Sequence, residues 1–90
     1  MDVLARIAAE RIRQKELLRD GKILFDCASP IVDADRKLRV ATEELGEVAQ
    51  AIDRLERKPT SVKQFRHLQE ELVQLAAVVT AWLEAMEDVP

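Results

Sequence analysis

The polar and apolar residues alternate with a helical period over most of the chain. Leu38, Ala41, Leu45, Val48, Ile52 and Leu55 recur in alternating steps of three and four, as do Leu68, Leu72, Leu75, Val79, Trp82 and Met86. Each series is one apolar stripe on a helix and a candidate core face. Val3, Leu4, Ile7 and Leu18 mark a weaker stripe near the N-terminus. Boundary signals divide the chain accordingly. Asp2 is a suitable N-cap for a first helix that ends near Asp20 at Gly21. A second helix begins at Asp33 or Asp35 and ends at Lys58, before Pro59. Thr60 or Ser61 can cap a third, which runs to about Met86, with a fraying tail at 87–90.

The connector at 21–34 is broken by Ser29-Pro30, yet Ile23, Leu24 and Phe25 are too apolar for an idle loop and should pack onto something. The short link at 58–61 makes the last two helices an antiparallel hairpin. The expectation is an all-α fold: one domain over residues 1–90, an antiparallel helical bundle of three main helices.

Composition sharpens this picture. A chain of 90 residues buries a modest share of its surface when it folds alone. Its one cysteine, Cys27, allows no disulfide within a subunit and lacks the partners of a zinc site, so a structural thiol is expected. Homo-oligomerisation is therefore expected to complete the core. Aromatic residues at 3% and a net charge of −3 argue against a nucleic-acid surface. No apolar run reaches membrane-spanning length, and the N-terminus lacks a signal-peptide layout, so no membrane partner and a reducing cytoplasmic setting are expected.

The acidic residues carry the candidate chemistry. At about 100° per residue, Glu44 and Glu47 fall beside the apolar stripe of the second helix, on a face shared with Lys37, Val40 and Ala51, while Glu43 falls on the far side. On the third helix Glu71 borders the stripe, and Gln74 lies beside it on a face shared with Lys63, His67 and Val78. Residues three apart lie one above the other. A hairpin can thus bring Glu44, Glu47, Glu71 and Gln74 together near its middle. Converging carboxylates suit a hard cation such as Mg²⁺, which keeps some waters and can bridge substrate phosphates. A solvated acidic face is the plainer meaning of either string alone; the pairing of two such strings on facing helices favours a metal site. The only histidine stands in H-x-x-E order, which is wrong for a di-iron carboxylate bundle.

Other residues accompany the cluster. Arg11 and Gln14 fall on the apolar face of the first helix and need partners there, either as a structural ion pair with the carboxylates or as part of the site lining. Lys37 and Lys63 can meet phosphate, or remain surface lysines. His67 lies one turn before Glu71, where a structural or hydrogen-bonding role is favoured over catalysis. Phe25 and its neighbours can contribute to a base pocket, whereas Trp82 sits on the core stripe as packing.

Glu43-Glu44-Leu45-Gly46-Glu47-Val48-Ala49, followed 24 residues after Glu47 by Glu71-Leu72-Val73-Gln74, resembles the MazG-like nucleoside triphosphate pyrophosphohydrolases of the all-α NTP pyrophosphatase superfamily. The family signature is E-E-x-x-E followed on a later helix by E-x-x-D. Glu10-Arg11-Ile12-Arg13-Gln14 is similar to the E-R-x-R-Q opening of short phage and bacterial members, and the likeness spans about residues 5–86. It implies Mg²⁺-dependent hydrolysis of a nucleoside triphosphate to the monophosphate and pyrophosphate, with Mn²⁺ as a substitute ion. It also implies a homodimer or homotetramer. Glu44, Glu47 and Glu71 would be the catalytic metal ligands, with Gln74 a fourth. Gln74 stands where the family has Asp; its amide oxygen can ligate but brings no charge. That departure leaves room for an alternative, a non-catalytic nucleotide- or metal-binding or structural bundle protein of the same fold.

Overall fold

The computed structural model describes residues 2–87, and among them the fold is all-helical, with three helices and no strand. The helices are α1 (Val3–Arg19), α2 (Ala34–Arg57) and α3 (Val62–Glu87). Their ends follow the expected caps. Asp2 accepts a hydrogen bond from the Ala5 N–H at 2.8 Å, and Asp33 one from the Arg36 N–H at 2.9 Å. Ser61 Oγ accepts from the Gln64 N–H at 3.2 Å at the head of α3. Gly21, at φ +73°, closes α1. Its N–H reaches the Leu18 carbonyl and the Lys22 N–H the Leu17 carbonyl, the paired bonds of a Schellman ending. Of the tail expected to fray, Glu87 is the last helical residue, and 88–90 lie outside the described residues.

Helix α3 is the shared element: it packs against both α2 and α1, while the backbones of α1 and α2 do not approach one another. The connector fills the gap between them. Cys27 is buried against Val78 and Ala81, with Phe25, Ala28, Val40 and Ala41 packed around it. Ile23 and Phe25 are half-buried as expected of an apolar connector, but Leu24 is 97% exposed.

The interior is not where the apolar stripes place it. Leu38, Leu45 and Ile52 on α2, and Leu72, Val79 and Met86 on α3, are exposed. The buried face of α2 carries Lys37, Val48 and Ala51, of which Val48 alone belongs to the stripe, and that of α3 carries Glu71, Ala77, Val78, Ala81 and Ala85, while Ala41, Leu55, Leu68, Leu75 and Trp82 of the stripes are half-buried. The inner face is thus one residue round from the strongest apolar series. Small residues line it because helices and connector approach closely there. Val3 and Leu4 of the α1 stripe are likewise exposed, and Arg11 is the buried residue of that helix.

No helix among the described residues is long and apolar enough to cross a membrane.

Candidate metal centre

The buried face of α2 and α3 brings three carboxylates together. One oxygen from each of Glu44, Glu47 and Glu71 lies within 4.8 Å of the others. The i, i+3 spacing stacks Glu44 and Glu47 on one side of α2, and α3 sets Glu71 against them. Glu71 is buried, Glu44 half-buried and Glu47 exposed, so the cluster opens to solvent on the Glu47 side. Glu44 Oε2 and Glu71 Oε2 are buried with no hydrogen-bond partner among the described residues. Buried acceptors without donors are costly, and here they converge.

The electrostatics follow from that crowding. Burial, then the charges of Glu47 and Glu71, push the Glu44 carboxyl up to about 7. Glu71 is also raised, first by burial and then by Glu47, to which a protonated carboxyl can donate; the His67 charge works in the opposite direction. Without a cation the cluster retains protons. A divalent ion relieves the same repulsion and gives the orphaned oxygens a partner, so the donor set fits Mg²⁺ or Mn²⁺.

Glu44 also belongs to a second feature. Because α1 and α2 stand apart, the connector roofs a cavity of about 430 Å³ between them. Gln14 and Leu17 of α1, Phe25 and Cys27 of the connector, Val40 of α2 and Val78 of α3 form its mostly apolar wall, with Glu44 at the edge. Arg13 and Lys22 supply its cations. Burial raises the Cys27 thiol pKa, and the Asp26 charge adds to it, which keeps the thiol neutral.

Arg11 fixes one wall of this cavity. Its guanidinium is buried and donates to both Asp26 oxygens at 3.1 and 3.0 Å, to Glu84 at 3.3 and 3.0 Å, and to Gln14 Oε1 at 2.7 Å. Burial opposes its charge, but hydrogen bonds and attraction from Glu84 and Asp26 outweigh that and raise its pKa. Asp26 Oδ1 also accepts from the Ala28 N–H at 2.8 Å, which shapes the connector. Of the two roles open to Arg11, the structure shows an ion pair, made with Asp26 and Glu84 and not with the glutamates of the cluster.

The remaining expected residues fall in three places. Gln74, one turn past Glu71, lines a separate cleft with Arg6, Ala9 and Glu10. His67 Nε2 stands 3.5 Å from Glu71 Oε1, while Lys63 lies with His67 along an outer cleft. Lys37 is buried on the inner face of α2, not a surface lysine.

Sequence reasoning passed over Asp26 and Glu84, and used Glu10 and Arg13 only as part of the E-R-x-R-Q string. Arg13 is paired with Glu10 at 2.6 Å, is half exposed, and feels the charge of Glu44 as well. Its separation of three from Glu10 was the available signal. Asp26, an acidic residue inside an apolar run, gave a comparable hint. No family model, no curated protein and no solved structure matches this chain.

Proposed function

We propose that the chain is a metal-dependent nucleoside triphosphate pyrophosphohydrolase, converting a (d)NTP and water to the monophosphate and pyrophosphate. The supporting observation is the position of Glu44. It is at once a member of a three-carboxylate cluster with unpartnered buried oxygens and part of the wall of an apolar cavity. A nucleoside triphosphate has the matching halves, an organic body and a polyphosphate that carries a divalent ion. The cavity at about 430 Å³ lies in the range of small-ligand pockets.

Glu44 and Glu47 from α2 and Glu71 from α3 would hold Mg²⁺, with the Gln74 amide as a neutral neighbour one turn on. When bound, the ion offsets charge on the phosphate oxygens during in-line attack of water on the α-phosphorus. Arg13 and Lys22 face the cavity beside Glu44 and would meet the phosphates. Phe25, Leu17 and Val40 would enclose the base and exclude water, and Gln14 offers an amide to its polar edge. Meetings of Val40 and Ala41 with Val78 and Ala81, and of Glu44 and Glu47 with Glu71, support an antiparallel α2–α3 hairpin as the scaffold.

Pyrophosphate release from a panel of canonical and modified (d)NTPs, with Mg²⁺ or Mn²⁺, tests the reading. Release that requires metal and is lost in Glu44→Ala is the expected result. Metal-dependent stabilisation without release from any triphosphate would instead favour a non-catalytic nucleotide binder, a second reading motivated by the uncharged Gln74.

A further inference from the structure

We propose that Gln14 is the residue that selects the base, acting as a hydrogen-bond donor beside the acceptor Asp26. The inference rests on the reading of the cavity as a nucleoside pocket and adds which edge of the base is read.

Six polar or charged side chains line the cavity: Glu10, Arg13, Gln14, Lys22, Asp26 and Glu44. Four of them are poor readers of a base. Glu44 belongs to the carboxylate cluster, and Glu10 and Arg13 are paired at 2.6 Å. The Lys22 ammonium is a hydrated point charge on a flexible stem. Gln14 and Asp26 remain. Both are held from behind by Arg11, which is 4% exposed and is not part of the lining.

That hold fixes the amide. Arg11 Nη1 donates to Gln14 Oε1 at 2.7 Å. A guanidinium accepts no hydrogen bond, so the amide oxygen must face it, and the amide nitrogen is what Gln14 has to offer the cavity. The same Nη1 donates to Asp26 Oδ1 at 3.1 Å and to Oδ2 at 3.0 Å, and Oδ1 also accepts from the Ala28 N–H at 2.8 Å. Oδ1 is thus used twice, while Oδ2 keeps a lone pair. Arg11 donates through Nε and Nη2 to Glu84 as well. One positive charge is therefore shared by two carboxylates, and Asp26 retains acceptor strength. Because a single nitrogen bonds both side chains, the Gln14 donor and the Asp26 acceptor are neighbours. Both belong to a buried, charge-assisted network, which orients them before any ligand arrives.

A fixed donor next to a fixed acceptor complements a base edge on which an acceptor adjoins a donor. Uracil presents O4 beside N3–H in this way, and guanine presents O6 beside N1–H. Guanine differs in one respect: its N1–H also adjoins the 2-amino group, and no other standard base has two adjacent donors on that edge. Glutamate at position 14 would keep the side-chain length and the bond to Arg11, and would replace the donor with an acceptor. The wall would then read two adjacent donors. Uracil would lose a partner that guanine regains.

Titration calorimetry with the non-hydrolysable α,β-imido triphosphates of guanine and uracil, in the presence of Mg²⁺, tests this on wild type, Gln14→Glu and Gln14→Met. The guanine-to-uracil affinity ratio should rise about tenfold in Gln14→Glu. The ratio cancels any general repulsion between the new charge and the phosphates. Gln14→Met removes the donor without adding an acceptor, so both affinities should fall together and the ratio should stay that of wild type. Should the variants lose their helical signal, wild type alone decides. Methylation of the uracil analogue at N3 removes its donor and should weaken binding by about tenfold. An unchanged ratio in folded Gln14→Glu, a wild type indifferent to N3-methylation, or no binding of either analogue overturns the proposal. Binding that follows the expected pattern, without pyrophosphate release from the natural triphosphates, overturns the pyrophosphohydrolase reading and leaves base selection standing. Release with an unchanged ratio does the reverse.

Discussion

His67 Nε2 lies 3.5 Å from Glu71 Oε1, while Glu71 Oε2 is buried and unpartnered. One oxygen of the most buried carboxylate of the cluster therefore faces an imidazole a turn earlier on α3, and the other has no hydrogen-bond partner among the described residues. Partners that orient a ligand in this way typically carry 10–100-fold in metal affinity. His67→Leu should weaken Mn²⁺ binding by about tenfold, and His67→Gln, which can still hydrogen-bond, should recover much of it. Titration calorimetry with Mn²⁺ measures both. Equal affinities for wild type and His67→Leu would remove the imidazole from any role at the cluster.

The protons held by the cluster give the metal-free protein an unusual pH dependence. Glu44 titrates at about 7 in the fold, above the ordinary 4.5, and Glu71 is shifted the same way. The folded state then binds more protons than the unfolded chain between those values. The associated stability is full below about 4.5 and is lost as pH rises through about 7. Thermal melts without metal should give a higher Tm at pH 5 than at pH 8, and Glu44→Gln should flatten the difference. At pH 8, Mg²⁺ at a hundred times its Kd should restore about 2.7 kcal/mol, roughly 15 °C in a domain of this size. A metal-free Tm that rises from pH 5 to pH 8 contradicts the shared-proton account.

Local signals in the sequence were enough for the helices and for the convergence of three carboxylates. Asp2, Gly21, Asp33 and Ser61 act where their chemistry predicts, because caps and left-handed turns depend on a few neighbouring atoms. Glu44, Glu47 and Glu71 could be matched because helical geometry fixes which residues share a face. The choice between adjacent faces was not legible. Hydrophobicity selects Leu45 and Leu72 for the interior, yet the packing of α2 on α3 turns Glu44 and Glu71 inward and leaves the leucines outside. Helical periodicity alone does not decide which of two neighbouring faces packs. Arg11 with Asp26 and Glu84 was beyond reach for a different reason, since the pairing depends on how the connector folds back over α1.

Arg11 and Arg13 provide an internal comparison, two residues apart on α1. Arg11 is buried against Asp26, whose own side chain is 6% exposed, whereas the Arg13 side chain is 54% exposed beside Glu10. Removing one member of a buried pair strands the other charge. Arg11→Ala should cost about 3 kcal/mol or more, and Arg13→Ala less, because Arg13 is itself solvated, although the Glu10 side chain it leaves behind is 11% exposed. Urea unfolding of the two variants reads the difference. Similar midpoints would show that the Arg11 network contributes no more than a surface pair.

Gln74 is an uncharged side chain one turn beyond Glu71 and lines a separate cleft. An aspartate there would add a carboxylate near an ion held by Glu44, Glu47 and Glu71. Gln74→Asp is expected to tighten Mg²⁺ binding by about tenfold, ~1.4 kcal/mol, and to raise pyrophosphate release at low Mg²⁺. An unchanged affinity would mean that the Gln74 amide, in its cleft with Arg6 and Glu10, takes no part in holding the ion.

The cavity can be tested apart from the metal. Leu17 lines its α1 wall and is half-buried, at a distance in sequence from every carboxylate of the cluster. Leu17→Trp places a bulky ring where the nucleoside would lie and leaves Glu44, Glu47 and Glu71 untouched. KM for the best triphosphate should rise by about tenfold, while the Tm increase on adding Mg²⁺ should match that of wild type. Loss of the Mg²⁺ response in this variant would mean that the ring has disturbed the helices themselves. An unchanged KM with an intact Mg²⁺ response would place the substrate's organic half elsewhere, because a ligand seated between α1 and the connector cannot share that volume with an indole.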